Sequence, residues 1–483
     1  MDQEIINYAN AKGMILTEEA LRLLNNYNYR DVIDKLKIKD KIFVLPKDVI
    51  DVCKDGDCKV KPEYTKNYYI MDKYDVTGKT YSQGRVEDFL NLFTDKYKTI
   101  SEIIKERSDF EPTNISEAKH LGKNKKVDII GMVYEKRTSK NGNTIINVDD
   151  PTGSVNLVVT SKNEELFKEA KEILNDNVIG FKCNVIAENM FIVNEIIYPD
   201  IPIQNNKPHL NEEVYVAIIA DVHIGSKLFL ENEFTEFIDW LSGKDDGDQR
   251  LAKKIKYLII AGDLVDGIGV YPAQFEELAI TDIFKQYELF EDYILKIPKD
   301  ITIFITPGNH DAVRLSDPQP AITKQFLPRL SEQENIHLMG SPSWVNLEGF
   351  KTLIYHGASL HGIYAEIKEA TMSTPDIAMR EVIKRRDLMP QYGERQTFIP
   401  MEKNLMTINE VPDIFIGADV HHHAYSKYKN CHLINASCWQ SITAYQIEKG
   451  HHPTLCKVLL LNLKDQTLKI KDFLKPEEEK MQL

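Results

Sequence analysis

Cysteine is scarce in this sequence: its 483 residues include only six cysteines, scattered along the chain. This scarcity argues against a disulfide framework and favours a reducing, cytoplasmic location. Cys53 and Cys58 frame the segment CKDGDC, which has the form of half a zinc site. Because no second nearby pair completes such a site, we expect two free thiols in a turn.

Long apolar runs and an excess of basic residues are also missing. No uninterrupted apolar run approaches the length needed to cross a bilayer, and the acidic, polar start MDQEIINYANAKG does not resemble a secretory signal. The formal net charge is −14. Since affinity for phosphates comes mainly from Lys and Arg, a nucleic-acid function would need a local basic face or a partner's positive field. The alternative is a small phosphorylated substrate steered by metal ions.

The length of the chain predicts two or three domains rather than one compact core. Residues 1–60 contain short amphipathic segments, in which Thr17 is placed to cap one helix and Pro46 to begin another. We therefore expect a helical N-terminal module, of a kind that more often serves docking than catalysis. Residues 61–115 show little periodicity, which indicates a linker with local structure at most.

Residues 116–203 are rich in β-forming residues and carry two turn signals, KNGN and DDPTG. The pattern predicts three strands, a helix and two further strands, which is the order of elements in an OB-fold β-barrel. Such barrels often bind single strands through aromatic side chains over a basic groove. These strands carry few aromatic residues and one modest basic cluster, Lys136, Arg137 and Lys140. A packing or scaffolding role is therefore expected at least as much as DNA binding.

A different pattern begins at residue 214, after a polar, proline-containing boundary at 199–213. Short, continuous apolar runs recur, among them VYVAIIA, YLIIA, ITIFIT, FKTLIYH and DIFIGA, and helical stretches separate several of them. Strands of this kind are buried on both faces, as in a layered α/β domain. We therefore predict an α/β domain over 214–473, closed by a β-hairpin, and a charged tail at 474–483.

Each of these apolar runs ends in a polar cluster that is able to bind metal. Ligands bind at the carboxyl ends of strands in layered α/β sheets, so five such ends point to one shared site. Histidine and carboxylate ligands suit Mn, Zn or Fe, and the lack of cysteine among them argues against a structural zinc. The clusters contain Asp221, His223, Asp263, Asn309, His310, Asp311, His356, Asp419, His421, His422 and His423.

The kinds of residue in these clusters favour two cations rather than one. Two cations about 3.5–4 Å apart need a bridging carboxylate, and together they hold the attacking and leaving oxygens of a phosphoryl displacement. Asp263 is a lone aspartate between two histidine-bearing clusters, which makes it the candidate bridge.

The motifs D-x-H, G-D, G-N-H-D, a solitary H-G and a last element similar to G-H-x-H resemble those of the calcineurin-like metallophosphoesterases. The resemblance covers 214–473, and the ordered series is highly specific. With the barrel upstream, the layout resembles the small subunits of archaeal D-family DNA polymerases, which are related to the B subunits of eukaryotic replicative polymerases. In the archaeal family this domain is the 3′–5′ proofreading nuclease. In the eukaryotic relatives the metal ligands are lost and the domain is a scaffold.

The resemblance implies two divalent cations and a defined set of ligands for each. Asp221, His223 and His421 would hold one ion, and Asp263 would bridge it to the second. Manganese is the favoured metal, and magnesium, zinc and iron are the alternatives.

Asn309, His356 and Asp419 would hold the second ion, with one departure from the family. Asp419 stands where the family supplies a histidine, and its harder oxygen should shift the preference toward Mn or Mg. An alternative register would use His421 and His423 as the H-x-H pair. We give it less weight because only the first register matches without a gap.

The remaining site residues are candidates for catalysis or for contact with the substrate. The resemblance implies that His310 stands near the scissile phosphate as acid and transition-state stabiliser, with Asp311 orienting its other nitrogen. Arg314 and His422 are weaker candidates for substrate contact, and an ion pair is an equally good interpretation of Arg314. Asp266 is expected to be a turn residue. His361 is expected to lie at the surface or to be a core residue whose hydrogen bonds are satisfied.

Three functions follow from these observations. The leading hypothesis is a metal-dependent 3′–5′ exodeoxyribonuclease subunit that assembles with the large catalytic subunit of a D-family DNA polymerase and acts on DNA 3′ ends. The partner would supply most of the DNA-binding field, and a sliding clamp is a further candidate partner. The alternatives are a catalytically weak or inactive scaffold subunit and a stand-alone metallophosphodiesterase.

Overall fold

The computed structural model describes the chain apart from residues 1, 25–28, 39–40, 54–65, 108, 204–206, 245–248, 394, 450 and 475–483. The side chain of Cys53, all of Cys58 and all but one residue of the predicted charged tail lie outside the described residues. The chain divides into two compact units, Met1–Asn67 and Tyr68–Leu483, which are taken in turn.

The first unit is mainly helical, as the sequence predicts. Its core includes Ile5, Leu24 and Ile33, which are fully buried. The hydroxyl of Thr17 accepts the backbone N–H of Ala20 at 3.2 Å, which confirms the predicted helix cap. The strands β1 and β2 pair in parallel. The elements are α1 Asp2–Ala11, β1 Ile15–Leu16, α2 Glu18–Leu24, α3 Tyr29–Ile38, β2 Phe43–Val44 and α4 Pro46–Cys53.

The second unit begins with regular structure where the sequence predicted a linker. A strand adds to the edge of a large sheet, and a twenty-residue helix follows it. The prediction of little structure over 61–115 is wrong there, because the helix buries a face that repeats every four residues from Leu92 to Ile104, and the charged Lys96 interrupts its apolar pattern. The elements are β3 Tyr68–Ile70, α5 Val86–Lys105 and α6 Ile115–Lys119, with a short 3-10 helix at Asp72–Tyr74.

A closed five-stranded barrel follows, in the strand order β4-β5-β6-β8-β7. The predicted sequence of three strands, a helix and two strands is confirmed. Strands β6 and β8 pair in parallel, and the other pairs are antiparallel. The interior contains apolar side chains such as Ile129, Val148 and Phe181, all fully buried. The elements are β4 Lys126–Thr138, β5 Thr144–Asp150, β6 Gly153–Val159, α7 Glu164–Lys171, β7 Val178–Ala187 and β8 Met190–Ile197.

Two six-stranded sheets form the remaining domain, in the orders β12-β11-β10-β9-β18-β19 and β16-β17-β15-β14-β13-β3. The first sheet is parallel from β9 to β12, and the predicted closing hairpin is β18 and β19. The elements before the second sheet are β9 Tyr215–Ile219, α8 Glu231–Leu241, α9 Gln249–Ala252, β10 Ile255–Ala261, α10 Ile283–Ile294, β11 Thr302–Thr306 and β12 Ile336–Leu338. Those that follow are β13 Ser343–Leu347, β14 Phe350–Ile354, α11 Leu360–Glu366, α12 Pro375–Arg385, β15 Ile414–Gly417, β16 Ala424–Tyr428, β17 Cys431–Asn435, α13 Ala444–Lys449, β18 Lys457–Asn462 and β19 Thr467–Asp472.

The central strands are buried along their whole length, as their continuous apolar sequences predict. On the first sheet they pack against α8 and α10 through side chains such as Phe234 and Tyr287. On the second sheet they pack against α12 through Met379 and Val382. The predicted mixed α/β class is therefore confirmed, together with a closed barrel. Among the described residues, no helix has the length and apolar character needed to cross a membrane.

Lys96 anchors α5 to this domain through a buried ion pair. Its Nζ lies 2.7 Å from Asp387 Oδ2 and donates to the Met389 carbonyl oxygen at 2.9 Å. The two side chains are 0 % and 2 % exposed. The next residue, Tyr97, donates its hydroxyl to the Ile130 carbonyl oxygen in the barrel at 3.2 Å. The helix α5 therefore ties the barrel to the two-sheet domain.

Replacing Lys96 by alanine is expected to destabilise the protein by about 3–5 kcal/mol, because it leaves the Asp387 carboxyl group buried without its partner. Urea denaturation measures the change in the free energy of unfolding. The matched control is Lys98→Ala, since Lys98 is exposed on the same helix. We expect the control to change the free energy by less than about 0.5 kcal/mol. Equal stability of the two variants would contradict a stabilising role for the ion pair.

Candidate metal centre

The predicted polar clusters follow five strands, but these strands belong to two sheets rather than one. In the first sheet, Asp221, Asp263 and Asn309 follow the ends of β9, β10 and β11. In the second sheet, His356 and Asp419 follow the ends of β14 and β15. Side chains from both sheets meet, and His356 Nε2 lies 2.9 Å from Asn309 Oδ1. The candidate site is therefore formed between the two sheets.

Five of the predicted ligands have a left-handed backbone conformation. Their φ angles lie between 50° and 76°. This conformation costs a residue with a side chain about 1–3 kcal/mol, and such strain gathers at functional sites. It bends the chain within about four residues of the ends of β9, β10 and β15. The five residues are Asp221, His223, Asp263, Asp419 and His421.

Asp221, His223 and His421 form the first group of potential ligands, with ligand atoms that all lie within 4.8 Å of one another. The Nε2 atom of His421 is 3.0 Å from His223 Nε2 and 3.8 Å from Asp221 Oδ1. Asp221 Oδ1 is buried and has no hydrogen-bond partner among the described residues. Two imidazole nitrogens beside an unpartnered carboxylate oxygen are a donor set that fits a divalent cation.

Asp263 lies between this first group and a second one. Its Oδ2 is 3.8 Å from His223 Nε2 and 3.3 Å from His356 Nε2. Its other oxygen, Oδ1, accepts the backbone N–H of His310 at 2.8 Å. Asp263 belongs to two potential metal-binding groups, one with His223 and His310 and one with Asp221 and His356. Its position suits the bridging role that the sequence predicts.

His356 is central to the second group. Its Nδ1 donates to the Ala261 carbonyl oxygen at 2.7 Å, which turns Nε2 toward the other potential ligands. That Nε2 lies 2.9 Å from Asn309 Oδ1 and 3.7 Å from Asp419 Oδ1. The three residues predicted to hold the second ion are therefore brought together.

His310 lies beside the first group, with its ring centre 4.6 Å from that of His223. Its Nδ1 donates to the backbone carbonyl oxygen of Asp266 at 2.8 Å. With Nδ1 engaged, Nε2 is the ring nitrogen left to face a substrate. One potential metal-binding group also contains His310, together with His223 and Asp263.

The prediction that Asp311 orients the His310 ring is wrong, because the Asp266 carbonyl does so. The Asp311 carboxylate accepts the Gly308 N–H at 2.9 Å and the Tyr287 hydroxyl at 3.0 Å. Asp311 is thus a buried support for the loop that carries His310, and it does not contact the ring. The family resemblance implied the role, but in this chain the two side chains have different partners.

Arg314 makes its hydrogen bonds to the chain rather than to the potential ligands. Its guanidinium group donates to the carbonyl oxygens of Thr80 and Ser316 at 2.8 Å and 3.3 Å. It also donates to the Pro318 carbonyl oxygen and to the Thr80 hydroxyl. These partners occupy its donors and fix the segment around Thr80 against the loop after His310. Among the described residues these contacts give Arg314 a structural role in place of the expected ion pair, and its contact with a substrate stays a prediction.

The last two histidines of the HHH run point away from the ligand groups. The Nδ1 atom of His422 is 2.8 Å from the His452 carbonyl oxygen, and that of His423 is 2.9 Å from the Thr454 hydroxyl. Both side chains are half-buried. The register that pairs Asp419 with His421 is therefore the one whose side chains enter the site.

Sequence reasoning missed several supporting residues, and Asp266 is the most informative. The turn role expected for it is wrong, because it is fully buried. Its carboxylate lies 3.2 Å from His223 Nδ1 and accepts from the amides of Gln274 and Gln440, each at 2.9 Å. A carboxylate at Nδ1 leaves the Nε2 lone pair of His223 for a metal. The only sequence signal was its spacing of three residues from Asp263.

Two further residues support ligands from elements far along the chain. The amide group of Gln446 lies 2.9 Å from His421 Nδ1, which orients that ring. The Nε2 atom of His361 lies 2.7 Å from Asp419 Oδ2. The sequence offered no motif for either residue, and His361 was expected to be a surface or satisfied core residue.

Burial and crowding of carboxylates dominate the electrostatics of the centre. Burial raises the pKa of Asp221 well above its usual value, and Asp263 and Asp419 add to this although His356 opposes it. Burial acts to lower the pKa of His356, but the same three carboxylates outweigh it and raise that pKa. Burial and the neighbouring His223 lower the pKa of His421, which keeps its ring neutral. A divalent cation would relieve the crowding of negative charge.

Comparisons with known proteins give a consistent family. Residues 216–427 match the family model for the B subunit of DNA polymerases alpha and epsilon. The chain is 39% identical to the DNA polymerase II small subunit of Archaeoglobus fulgidus, over 78% of this chain and 76% of that protein. It is 34% identical to the protein of that name from Thermoplasma acidophilum, over 97% and 92%. A solved structure described as a novel archaeal phosphodiesterase matches with a TM-score of 0.28 and 14% identity, covering 53% of this chain and 99% of that one.

Proposed function

Since the chain belongs to the family of DNA polymerase II small subunits, we propose that it is the 3′–5′ proofreading exonuclease subunit of a two-subunit replicative DNA polymerase. The role of a polymerase subunit follows from the family, and the nuclease activity is the proposal. The substrate would be the phosphodiester at a DNA 3′ end. The large catalytic subunit of the polymerase would be the partner, and it would supply the positive field that a chain of net charge −14 lacks.

The observation that carries this proposal is the meeting of seven potential ligands from two sheets at one buried place. Each of them offers an oxygen or an imidazole nitrogen, and a scaffold without catalysis would have no need for such a set. Five of these positions have a left-handed backbone, a conformation that is unfavourable for residues with a side chain and that gathers at functional sites. The seven are Asp221, His223, Asp263, Asn309, His356, Asp419 and His421.

We propose that two divalent cations occupy the two groups, with Asp263 between them and manganese as the favoured metal. Bound cations of this kind neutralise the charge of the phosphate and lower the pKa of water. Mixed oxygen and imidazole donors suit manganese, with magnesium, zinc and iron as alternatives. The buried, unpartnered Oδ1 of Asp221 supports this fit.

His310 would hold and move the proton that the reaction requires. Its Nδ1 is bound to the Asp266 carbonyl, and its backbone N–H is bound to Asp263 Oδ1. These two contacts fix the ring beside the ligand groups with Nε2 toward the substrate. From there it can donate to the 3′-oxygen that leaves when the terminal phosphodiester is hydrolysed. The products would be a nucleoside 5′-monophosphate and a DNA strand shorter by one nucleotide.

The upstream parts of the chain would serve assembly in this proposal. We propose that the closed barrel within 116–203 is an OB-fold and that 214–473 is the exonuclease domain. The helix α5, which contacts both, would keep their spacing fixed. The N-terminal module would serve docking, and a sliding clamp remains a proposed further partner.

The test is digestion of single-stranded DNA by the full chain, with the 5′ end labelled and manganese supplied or removed. We expect a ladder of products that shorten from the 3′ end in Mn²⁺, and no ladder after removal of metal with EDTA. Restored Mn²⁺ should restore the ladder. A matched strand with a blocked 3′ end is the control and should stay intact.

Three other outcomes would contradict the proposal in different ways. Full activity in EDTA would exclude a metal-dependent nuclease. Hydrolysis of mononucleotide esters with no attack on DNA would indicate a stand-alone phosphodiesterase. Lack of both bound metal, measured by elemental analysis, and nuclease activity in the complex with the large subunit would indicate a scaffold.

A further inference from the structure

We propose that His361 is a positioning residue for Asp419: it holds one carboxylate oxygen so that the other faces the second metal ion. The two oxygens of Asp419 have different surroundings. Oδ2 lies 2.7 Å from His361 Nε2, whereas Oδ1 lies 3.7 Å from His356 Nε2 within the second ligand group. This inference rests on the proposed function, because the second ion belongs to the proposed nuclease centre.

The hydrogen bond from His361 fixes a side chain that the backbone alone leaves free to rotate. The backbone N–H of Asp419 donates to Asp221 Oδ2 at 3.3 Å, and its φ angle is 76°, so the main chain of the turn is set. The carboxyl group beyond that point has two equivalent oxygens. A donor that occupies Oδ2 leaves Oδ1 as the oxygen available to a cation, which is how hydrogen-bonded neighbours orient metal ligands.

The position of His361 is itself fixed by the packing of α11. Leu360 and Ile363 flank it in the sequence of the helix and are 1 % and 0 % exposed. At the start of the helix, the Ser359 N–H donates to the Tyr355 hydroxyl at 3.0 Å. The Ser359 hydroxyl donates to the Leu388 carbonyl oxygen at 2.6 Å. The imidazole therefore projects from an anchored turn rather than from a free surface.

The approach of α11 to Asp419 depends on a glycine in the turn after β14. Gly357 has a φ angle of 129°. A Cβ atom at this position would lie 3.1 Å from the Ala418 carbonyl oxygen and 3.5 Å from Asp419 Cβ. The two turns that follow β14 and β15 are therefore in close contact. That contact brings His361, four residues after Gly357, to the Asp419 carboxylate.

A simple surface ion pair is the competing explanation, and burial distinguishes the two. The side chain of Asp419 is 7 % exposed, whereas that of His361 is 36 % exposed. An exposed pair contributes little because water screens it. Here the accepting oxygen is buried and belongs to a potential metal ligand, so the contact acts on the ligand rather than on the surface.

The experiment is calorimetric titration of Mn²⁺ into the full chain, with and without substitution of His361. We expect wild type to bind two ions. His361→Ala should lower the affinity for the second Mn²⁺ ion by about 10–100-fold, as the loss of a ligand's hydrogen-bond partner does in other metal sites. The affinity for the first ion should be unchanged. His361→Gln should recover part of the affinity, since its amide also donates near the position of Nε2.

The matched background is Asp419→Ala, which lacks the carboxylate that His361 contacts, so no ligand oxygen is left for His361 to position. We expect His361→Ala to have no effect on Mn²⁺ affinity in this background. Equal affinity of wild type and His361→Ala for the second ion would overturn the inference. The same loss in both backgrounds would also overturn it, because it would show a general structural effect.

A nuclease assay on the same samples separates this inference from the proposed function. If His361→Ala weakens the second ion but wild type releases no nucleotides, the inference stands and the proposed nuclease function fails. If wild type is an active nuclease and His361→Ala binds the second Mn²⁺ ion as tightly as wild type does, the proposed function stands and the inference fails.

Discussion

Asparagine in place of Asp263 should reduce Mn²⁺-dependent release of nucleotides by at least about 10³-fold, the upper range for loss of one electrostatic contact at a reacting centre. Asp263 Oδ2 is within 3.8 Å of both His223 Nε2 and His356 Nε2. A bridging position requires a full negative charge, because each ion would otherwise lose one anionic ligand. The asparagine keeps the size of the side chain and an acceptor for the His310 N–H, so only the charge is removed.

The comparison is made on single-stranded DNA with a labelled 5′ end, and Mn²⁺ binding is measured on the same samples. The control is Asp239→Asn on α8, where the carboxylate is 38 % exposed and belongs to none of the clusters. The control should keep wild-type activity. Thermal denaturation should show that Asp263→Asn is folded, since it removes one of several crowded negative charges. Wild-type activity in Asp263→Asn would exclude a bridging role.

Substitution of His310 should separate catalysis from metal binding. We expect His310→Gln to lower kcat by about 10²–10⁴-fold, the usual contribution of a general acid, while both Mn²⁺ affinities stay unchanged. The reason is that the His310 backbone N–H, and not its ring, contacts Asp263. The ring is held by the Asp266 carbonyl and leaves Nε2 for the leaving oxygen.

The measurement is kcat for nucleotide release, with a calorimetric titration of Mn²⁺ in parallel. His422→Gln is a matched control, because His422 is half-buried near the site but bound to the His452 carbonyl. It should retain wild-type kcat. A loss of Mn²⁺ affinity in His310→Gln would instead make His310 a ligand, in keeping with its presence in one of the potential metal-binding groups.

The parts of the fold that could be predicted are those specified by local patterns. Continuous apolar runs identified the buried strands, and turn signals with alternating residues identified the barrel. The helix α5 was missed because its buried face includes Lys96, whose charge is compensated by Asp387 almost three hundred residues later. No local pattern contains such a partner, so the segment read as a polar linker.

In the candidate site, too, local patterns could be predicted and contacts between distant segments could not. The ligand residues lie directly after strands, and adjacency in sequence was enough to propose them. Their supporting residues come from other elements: Gln440 and Gln446 from beyond β17, and His361 from α11. The role that the resemblance implied for Asp311 was also misleading, because its carboxylate supports Gly308 rather than the His310 ring. Contacts between distant segments depend on how the folded chain packs, and that packing cannot be read from a single sequence.

The left-handed residues of the centre bear on ion selectivity. Backbone hydrogen bonds lock these turns: the Asp221 N–H donates to the Gly262 carbonyl at 3.0 Å, and the Asp263 carbonyl accepts the Val222 N–H at 2.8 Å. The main chain at these ligand positions is therefore fixed before any ion arrives, and only the side-chain rotamers remain to be set by neighbouring groups. In the proposed nuclease a cation would have to match the radius and coordination number that these turns allow, so backbone torsion angles as well as donor chemistry would govern the choice among Mn, Mg, Zn and Fe.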